Sequence, residues 1–68
     1  MKNEGAMILE AIIEKSGLSI GEITEKTNIP ASRFSEWLNG KRIPKWNTLQ
    51  EIAQAIGVKI VVEVYHED

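Results

Sequence analysis

Residues that end helices divide this chain of 68 residues into short segments. Glycine and asparagine accept the left-handed backbone that closes a helix, and they occur here as Gly17, Asn28, Gly40 and Gly57. Pro30 adds a further break, because proline holds the residue before it in extended backbone. Each segment between these residues has room for only a few helical turns, so the sequence predicts several short helices.

Four of the segments carry apolar residues at helical spacing. The first helix contains residues 6–13, and the second begins at a capping box of Ser19 and Glu22. A third is predicted from Ala31 to Asn39 and a fourth from Trp46 to Ile56. On the first helix Leu9 and Ile13, and likewise Ile8 and Ile12, recur four residues apart. The predicted inner faces of the third and fourth helices are formed by Phe34, Trp37, Leu38, Leu49, Ile52, Ala53 and Ile56.

The last segment has a different pattern, because residues 58–65 are rich in β-branched side chains and alternate as a strand does. No other segment resembles a strand, so the backbone groups of this one lack a partner within the chain. The same strand of a second copy would pair with it and give a symmetric dimer. The predicted dimerisation residues are Val58, Ile60, Val61, Val62, Val64 and Tyr65.

The charge of the chain is unevenly distributed. The net charge is −2, yet residues 27–46 hold four Lys or Arg against one Glu, a local charge of +3. Such a basic patch can dock on phosphates, while the acidic remainder weakens non-specific binding. The charge pattern therefore permits a nucleic-acid partner.

Several classes of protein are excluded by composition. The chain has no Cys, which rules out disulfides and a zinc finger. No apolar run approaches the ~20 residues that span a bilayer, so we expect a cytoplasmic protein without membrane contact. The residues for a catalytic site are missing, so we expect no enzyme, cofactor, metal or small-molecule substrate.

Two short helices joined by a tight turn form an arrangement that lets the second enter a DNA major groove ~12 Å wide. Residues 18–57 resemble the XRE family, the Cro and lambda-repressor type of helix-turn-helix domain, on two stretches, Ser35 to Pro44 and Thr48 to Gly57. The resemblance implies a compact bundle of four or five helices. It also implies a homodimer that binds a near-palindromic operator in double-stranded DNA and regulates transcription.

The resemblance also implies roles for individual residues. Ile23, Ile29, Phe34 and Trp37 match core positions of the family, and Trp46 is likewise expected to pack in the core. The residues matching positions that face base edges are Ala31, Ser32, Ser35 and Glu36. Those matching positions at or beside phosphate are Asn39, Lys41 and Arg42.

The chemistry of single residues adds expectations for Glu36, Arg33 and Lys45. The most specific expectation concerns Glu36, because its carboxylate can accept a hydrogen bond from cytosine N4. Arg33 lies on the flank of the third helix and can clamp phosphate, read a base or cover Trp37, with phosphate favoured. Lys45 joins the predicted phosphate contacts because it belongs to the basic segment.

The sequence thus predicts a mainly α-helical single domain with two parts. Residues 1–57 form the helix-turn-helix DNA-binding part, and residues 58–68 form the dimerisation strand and a short tail. The predicted function is that of a transcriptional regulator, with repression favoured over activation. Two alternatives stay open: an antitoxin-like protein that also binds a toxin, and a protein-interaction module that does not bind DNA.

Overall fold

Four α-helices joined by short loops make up most of residues 3–66, the part of the chain described by the computed structural model. The helices are α1 (Glu4–Ser16), α2 (Ile20–Thr27), α3 (Ala31–Leu38) and α4 (Trp46–Ala55). They pack into a compact all-α domain in which α1 and α2 each contact both α3 and α4. The prediction of a four-helix domain is confirmed, and no fifth helix is formed within the described residues.

Local signals place the helix ends. Asn3 begins α1, and its side-chain oxygen accepts a hydrogen bond from the Ala6 N–H at 2.8 Å. The capping box of α2 is present: the Ser19 N–H donates to the Glu22 carboxylate at 3.0 Å, and the Glu22 N–H donates to the Ser19 hydroxyl at 3.2 Å. The bond from the Ser19 N–H to the carboxylate lowers the pKa of Glu22, and the Ser19 side chain and the charge of Lys26 lower it further. Asn28 ends α2 with a φ of +61°, as the sequence predicts.

The core is formed by one apolar face from each helix. Leu9, Ile23, Phe34, Leu49 and Ile52 are its largest fully buried side chains, one or more from every helix. Burial of each such side chain stabilises the fold by roughly 1.5–3 kcal/mol. Because α3 is held by its buried face, its opposite face has to point away from the domain.

The core assignments of Trp46, Ile29 and Leu38 differ from the structure. Trp46 is 42% exposed, so the prediction that it packs in the core is wrong. Trp46 is the first residue of α4, one turn before the inner face of that helix begins at Leu49, and its side chain lies outside the core. Ile29 and Leu38 are half-buried and pack against the core.

The prediction of a C-terminal β-strand is wrong for the single chain. Residues 58–66 have no regular secondary structure, because no other described residue offers a second strand to complete the hydrogen-bond ladder. The Val58 N–H donates to the Ala53 carbonyl at 2.8 Å, and Val58 and Ile60 pack against the core. From residue 61 to residue 66 every side chain is exposed. Residues 67–68 of the predicted tail lie outside the described part.

Within residues 3–66, none of the four helices combines the length and the apolar character that a membrane crossing requires. The same residues contain no group of His, Asp and Glu side chains arranged to hold a metal ion.

Candidate nucleic-acid interface

Helix α3 presents a small polar surface to solvent. Phe34 and Trp37 lie on its buried side, where their rings meet edge to face with centroids 5.6 Å apart. Ala31, Ser32 and Ser35 are exposed on the other side. This separation of faces places three of the four predicted base-reading residues on one accessible surface.

The C-terminal end of the same surface is held by a side-chain hydrogen bond. The Asn39 amide donates to the Ser35 hydroxyl at 3.3 Å, one helical turn away. Asn39 is the residue at which α3 ends, and its backbone N–H also donates to the Ser35 carbonyl. Ser35 and Asn39 therefore form one polar unit, although they were predicted to contact different parts of the DNA.

Glu36 joins α3 to the basic loop of residues 41–45. Its Oε1 lies 3.5 Å from the Nε of Arg33 and 3.2 Å from the Nε of Arg42. Its backbone carbonyl accepts from the N–H groups of Lys41 at 2.9 Å and Arg42 at 3.3 Å. Both ion pairs use the same carboxylate oxygen, which leaves Oε2 outside these two pairs.

Arg33 is fixed from two directions. Besides its ion pair with Glu36, its guanidinium carbon lies 5.9 Å from the centre of the Trp37 ring, within the range of a cation–π contact. The guanidinium therefore partly covers Trp37, which is one of the three roles that the sequence allows for it. Because its side chain remains 42% exposed, it is also accessible to a phosphate.

A basic concavity of about 450 Å³ opens between α3, the loop and the start of α4. Three of the five predicted phosphate contacts, Arg33, Arg42 and Lys45, line it. Lys45 is also the residue immediately before α4, and the first turn of α4 has no side-chain cap. The positive end of that helix adds to the attraction for an anion. The remaining lining residues are Trp37, Ile43 and Thr48.

Two predicted phosphate contacts do not line this basic concavity. Lys41 is exposed in the loop, and Asn39 is bonded to Ser35 on the polar surface of α3. Both lie next to the exposed face of α3 in the chain and not within the cluster of cations. The structure thus divides the predicted site into a polar surface on α3 and a basic concavity beside it.

The position of the loop depends on Gly5, a residue without a sequence signal for this role. Gly5, in the first turn of α1, lies so close to buried Pro44 that an added Cβ would be 2.9 Å from the proline Cδ. The absence of a side chain at position 5 allows the proline ring to pack against α1. A glycine in a helix is a weak signal by itself, and its partner is distant in the chain, so the sequence offered no means to find this contact.

These features define a class of protein. Two short helices joined by a tight turn, the second with an outward polar face, form a helix-turn-helix DNA-binding domain. A family profile described as a helix-turn-helix domain matches residues 9–64, which is more than half of the chain. The protein therefore belongs to the helix-turn-helix domain family. Comparison with curated proteins and with solved structures gave no significant match.

Proposed function

We propose that this protein is a sequence-specific transcriptional regulator of the XRE type, which represses by occupying a near-palindromic operator as a homodimer. In this proposal α3 enters the major groove. The observation that carries it is the position of the basic concavity, where Arg33, Arg42 and Lys45 converge beside the exposed polar face of α3. A helix in a major groove is flanked by phosphates, and this arrangement supplies cations where one flank would lie.

The base-reading part of the proposal concerns the outward face of α3. Ala31 can contact a thymine methyl group, and the hydroxyls of Ser32 and Ser35 can donate or accept at several bases. Glu36 can accept from cytosine N4 through Oε2, because its two arginine contacts both involve Oε1. The ion pairs then serve to hold the carboxylate in a fixed orientation toward the groove.

The phosphate-binding part of the proposal concerns the basic concavity and its surroundings. Arg33, Arg42 and Lys45 bind one backbone segment together with the N-terminal end of α4. Asn39 and Lys41 contact phosphate beside the C-terminal end of α3. Because each neutralised phosphate releases counterions, the affinity for DNA falls as salt concentration rises.

The dimer places two copies of α3 in successive major grooves, roughly 34 Å apart. Its support is the C-terminal segment, defined as residues 58–66, in which the apolar side chains Val61, Val62, Val64 and Tyr65 are all more than half exposed. Apolar side chains grouped in this way indicate a surface that is covered by another molecule. We assign that surface to a second copy of the same chain.

The experiment that tests DNA binding is a selection of bound sequences from random duplexes, followed by titration of the best duplex at several salt concentrations. Replacing Arg42 by Ala should lower the slope of log K against log salt by about two units per dimer, about one for each copy of Arg42. The matched control is Lys26→Ala, at an exposed lysine in the last turn of α2 that does not line the basic concavity. Failure of the wild-type protein to retard any duplex at low salt would contradict the proposal and favour a protein-interaction module.

The same selection tests Glu36. Glu36→Gln should alter the preferred base at one position in each half-site, because an amide can donate as well as accept. An unchanged base preference with altered salt dependence would show that Glu36 only positions the two arginines.

A further inference from the structure

We infer that two copies of the C-terminal segment pair antiparallel with their two-fold axis at Val61, so that Lys59 of each copy faces Glu63 of the other. The inference rests on the homodimer of the proposed function and adds the register of its interface. Three observations carry it: the alternation of half-buried and exposed side chains over residues 58–60, the positions of the two charges, and an apolar groove beside the segment.

The alternation defines the two faces of the segment. Val58 and Ile60 pack against the core, while Lys59 between them is exposed. Farther along, the Tyr65 hydroxyl donates to the Glu63 carboxylate. Side chains two positions apart share a face in extended backbone, so this bond is compatible with a strand-like conformation. Continued in extended backbone, this alternation would place even-numbered residues 58–64 on the side of Val58 and Ile60 and odd-numbered residues 59–65 on the outer side, with Val62 and Val64 exposed in the single chain.

Symmetry limits how two such segments can pair. In an antiparallel pair, a two-fold axis relates residues at equal distances on either side of it, and directly opposite residues share a face. The axis therefore has to coincide with a residue, because an axis between two residues would place core-facing side chains opposite outer ones. Only a few registers satisfy this condition along the segment.

The charges select one of these registers. With the axis at Val61, Lys59 faces Glu63 of the partner twice per dimer, and the core-facing pairs are all apolar. With the axis at residue 60, Lys59 would face Val61 of the partner. With the axis at residue 62, Glu63 would face Val61 of the partner. With the axis at Glu63, two glutamates would face each other, which is destabilising.

The groove beside residues 58–60 can accommodate the C-terminal segment of the partner. A cavity of about 210 Å³ runs along residues 58–60 and is lined on the α1 side by Ile8, Ala11, Ile12 and Lys15. In this register the partner's Val62 lies opposite Ile60, and the partner's Val64 lies opposite Val58. Both valines are then next to the groove, where their exposed side chains are removed from water.

The test is a charge exchange, measured as the dimer dissociation constant of the full chain by analytical ultracentrifugation. Lys59→Glu and Glu63→Lys each turn two attractive pairs into two repulsive ones, so each should weaken the dimer on the order of tenfold. The double variant Lys59→Glu with Glu63→Lys restores attraction and should return the constant to within about threefold of wild type. Both residues are exposed, so circular dichroism should show unchanged helix content.

A second measurement uses the absence of Cys from the chain. Val61→Cys should form a disulfide-linked dimer on oxidation, because residues on the axis are within cross-linking distance. Val64→Cys is the control, since its two copies would be roughly 20 Å apart. A double charge variant as weak as the single ones, or cross-linking at position 64 and not at 61, would overturn the register while leaving the dimer intact. A wild-type protein that stays monomeric would overturn the dimer itself, whereas the duplex experiment tests DNA binding separately.

Discussion

The two threonines of α2, Thr24 and Thr27, differ in the hydrogen bonding of their hydroxyl groups. Among the described residues, the Thr24 hydroxyl is buried and has no hydrogen-bond partner. Three positions later, the Thr27 hydroxyl donates to the Ile23 carbonyl at 2.7 Å and accepts from the Ile29 N–H at 3.3 Å. Thr27 therefore stabilises the turn between α2 and α3. The Thr24 hydroxyl lowers the stability of the fold, because it is removed from water and gains no hydrogen bond in exchange.

Replacing Thr24 by Ala should raise the free energy of unfolding by about 1 kcal/mol. The change removes an unsatisfied hydroxyl and introduces a better helix former, which together outweigh the loss of one methyl group. Thr27→Ala is the matched control and should lower the same free energy by about 1 kcal/mol. Urea unfolding followed by circular dichroism measures both, and a Thr24→Ala protein less stable than wild type would show that packing of the methyl group dominates.

At the scale of elements, α1 and α2 each have a glycine at the second helical position, after a side-chain cap at Asn3 or Ser19. A Cβ on Gly5 would meet the Cδ of Pro44 at 2.9 Å, whereas a Cβ on Gly21 would find the Ser19 hydroxyl at 3.8 Å, an ordinary contact. The first glycine is therefore needed for packing between α1 and the basic loop. The second is not needed for packing within the described chain.

Gly5→Ala and Gly21→Ala should change stability in opposite directions. Gly21→Ala should raise the free energy of unfolding by roughly 0.5 kcal/mol, because alanine loses less backbone freedom on folding. Gly5→Ala should lower it by roughly 1–2 kcal/mol, because the proline ring is rigid and the contact is overpacked. Gly5→Ala should also weaken DNA binding by moving the loop that carries Arg42 and Lys45. Equal stabilisation by both changes would contradict the packing role of Gly5.

At the scale of the whole molecule, the basic and apolar surfaces belong to different parts of the fold. The basic concavity lies between α3 and the start of α4, while the exposed apolar residues of the C-terminal segment follow α4. A chain with an overall charge of −2 then approaches DNA favourably through one surface only. The proposed dimerisation through the other surface would leave the DNA-binding surface open.

A chain shortened to end at Ile60 should therefore separate the two functions. It keeps the core contacts of Val58 and Ile60 and loses the exposed residues that follow. We expect it to be monomeric and to bind a single half-site as the full chain does. Its affinity for a duplex with two half-sites should fall by at least about 10²-fold, because the two half-sites are no longer bound together. Sedimentation and duplex titration measure these effects, and equal affinity of both chains for the double site would contradict the proposed dimer.

Helix positions and helix ends were accessible from the sequence alone. The capping box of Ser19 and Glu22, the left-handed Asn28 and the ends at Gly17 and Gly57 all depend on residues within about one helical turn of each other. The polar face of α3 was also predictable, because side chains at helical spacing necessarily share a face. The sequence thus determined which residues form helices and which face of α3 is polar.

Only the tertiary structure decided which of these residues meet. The convergence of Arg33 with Lys45 and the contact of Gly5 with Pro44 join residues from different elements, and no periodicity encodes them. The exposure of Trp46 depends on where the core ends, which is likewise a property of packing. The strand predicted over residues 58–65 is absent from the single chain because a ladder needs a second backbone, whereas a helix satisfies its hydrogen bonds within its own segment.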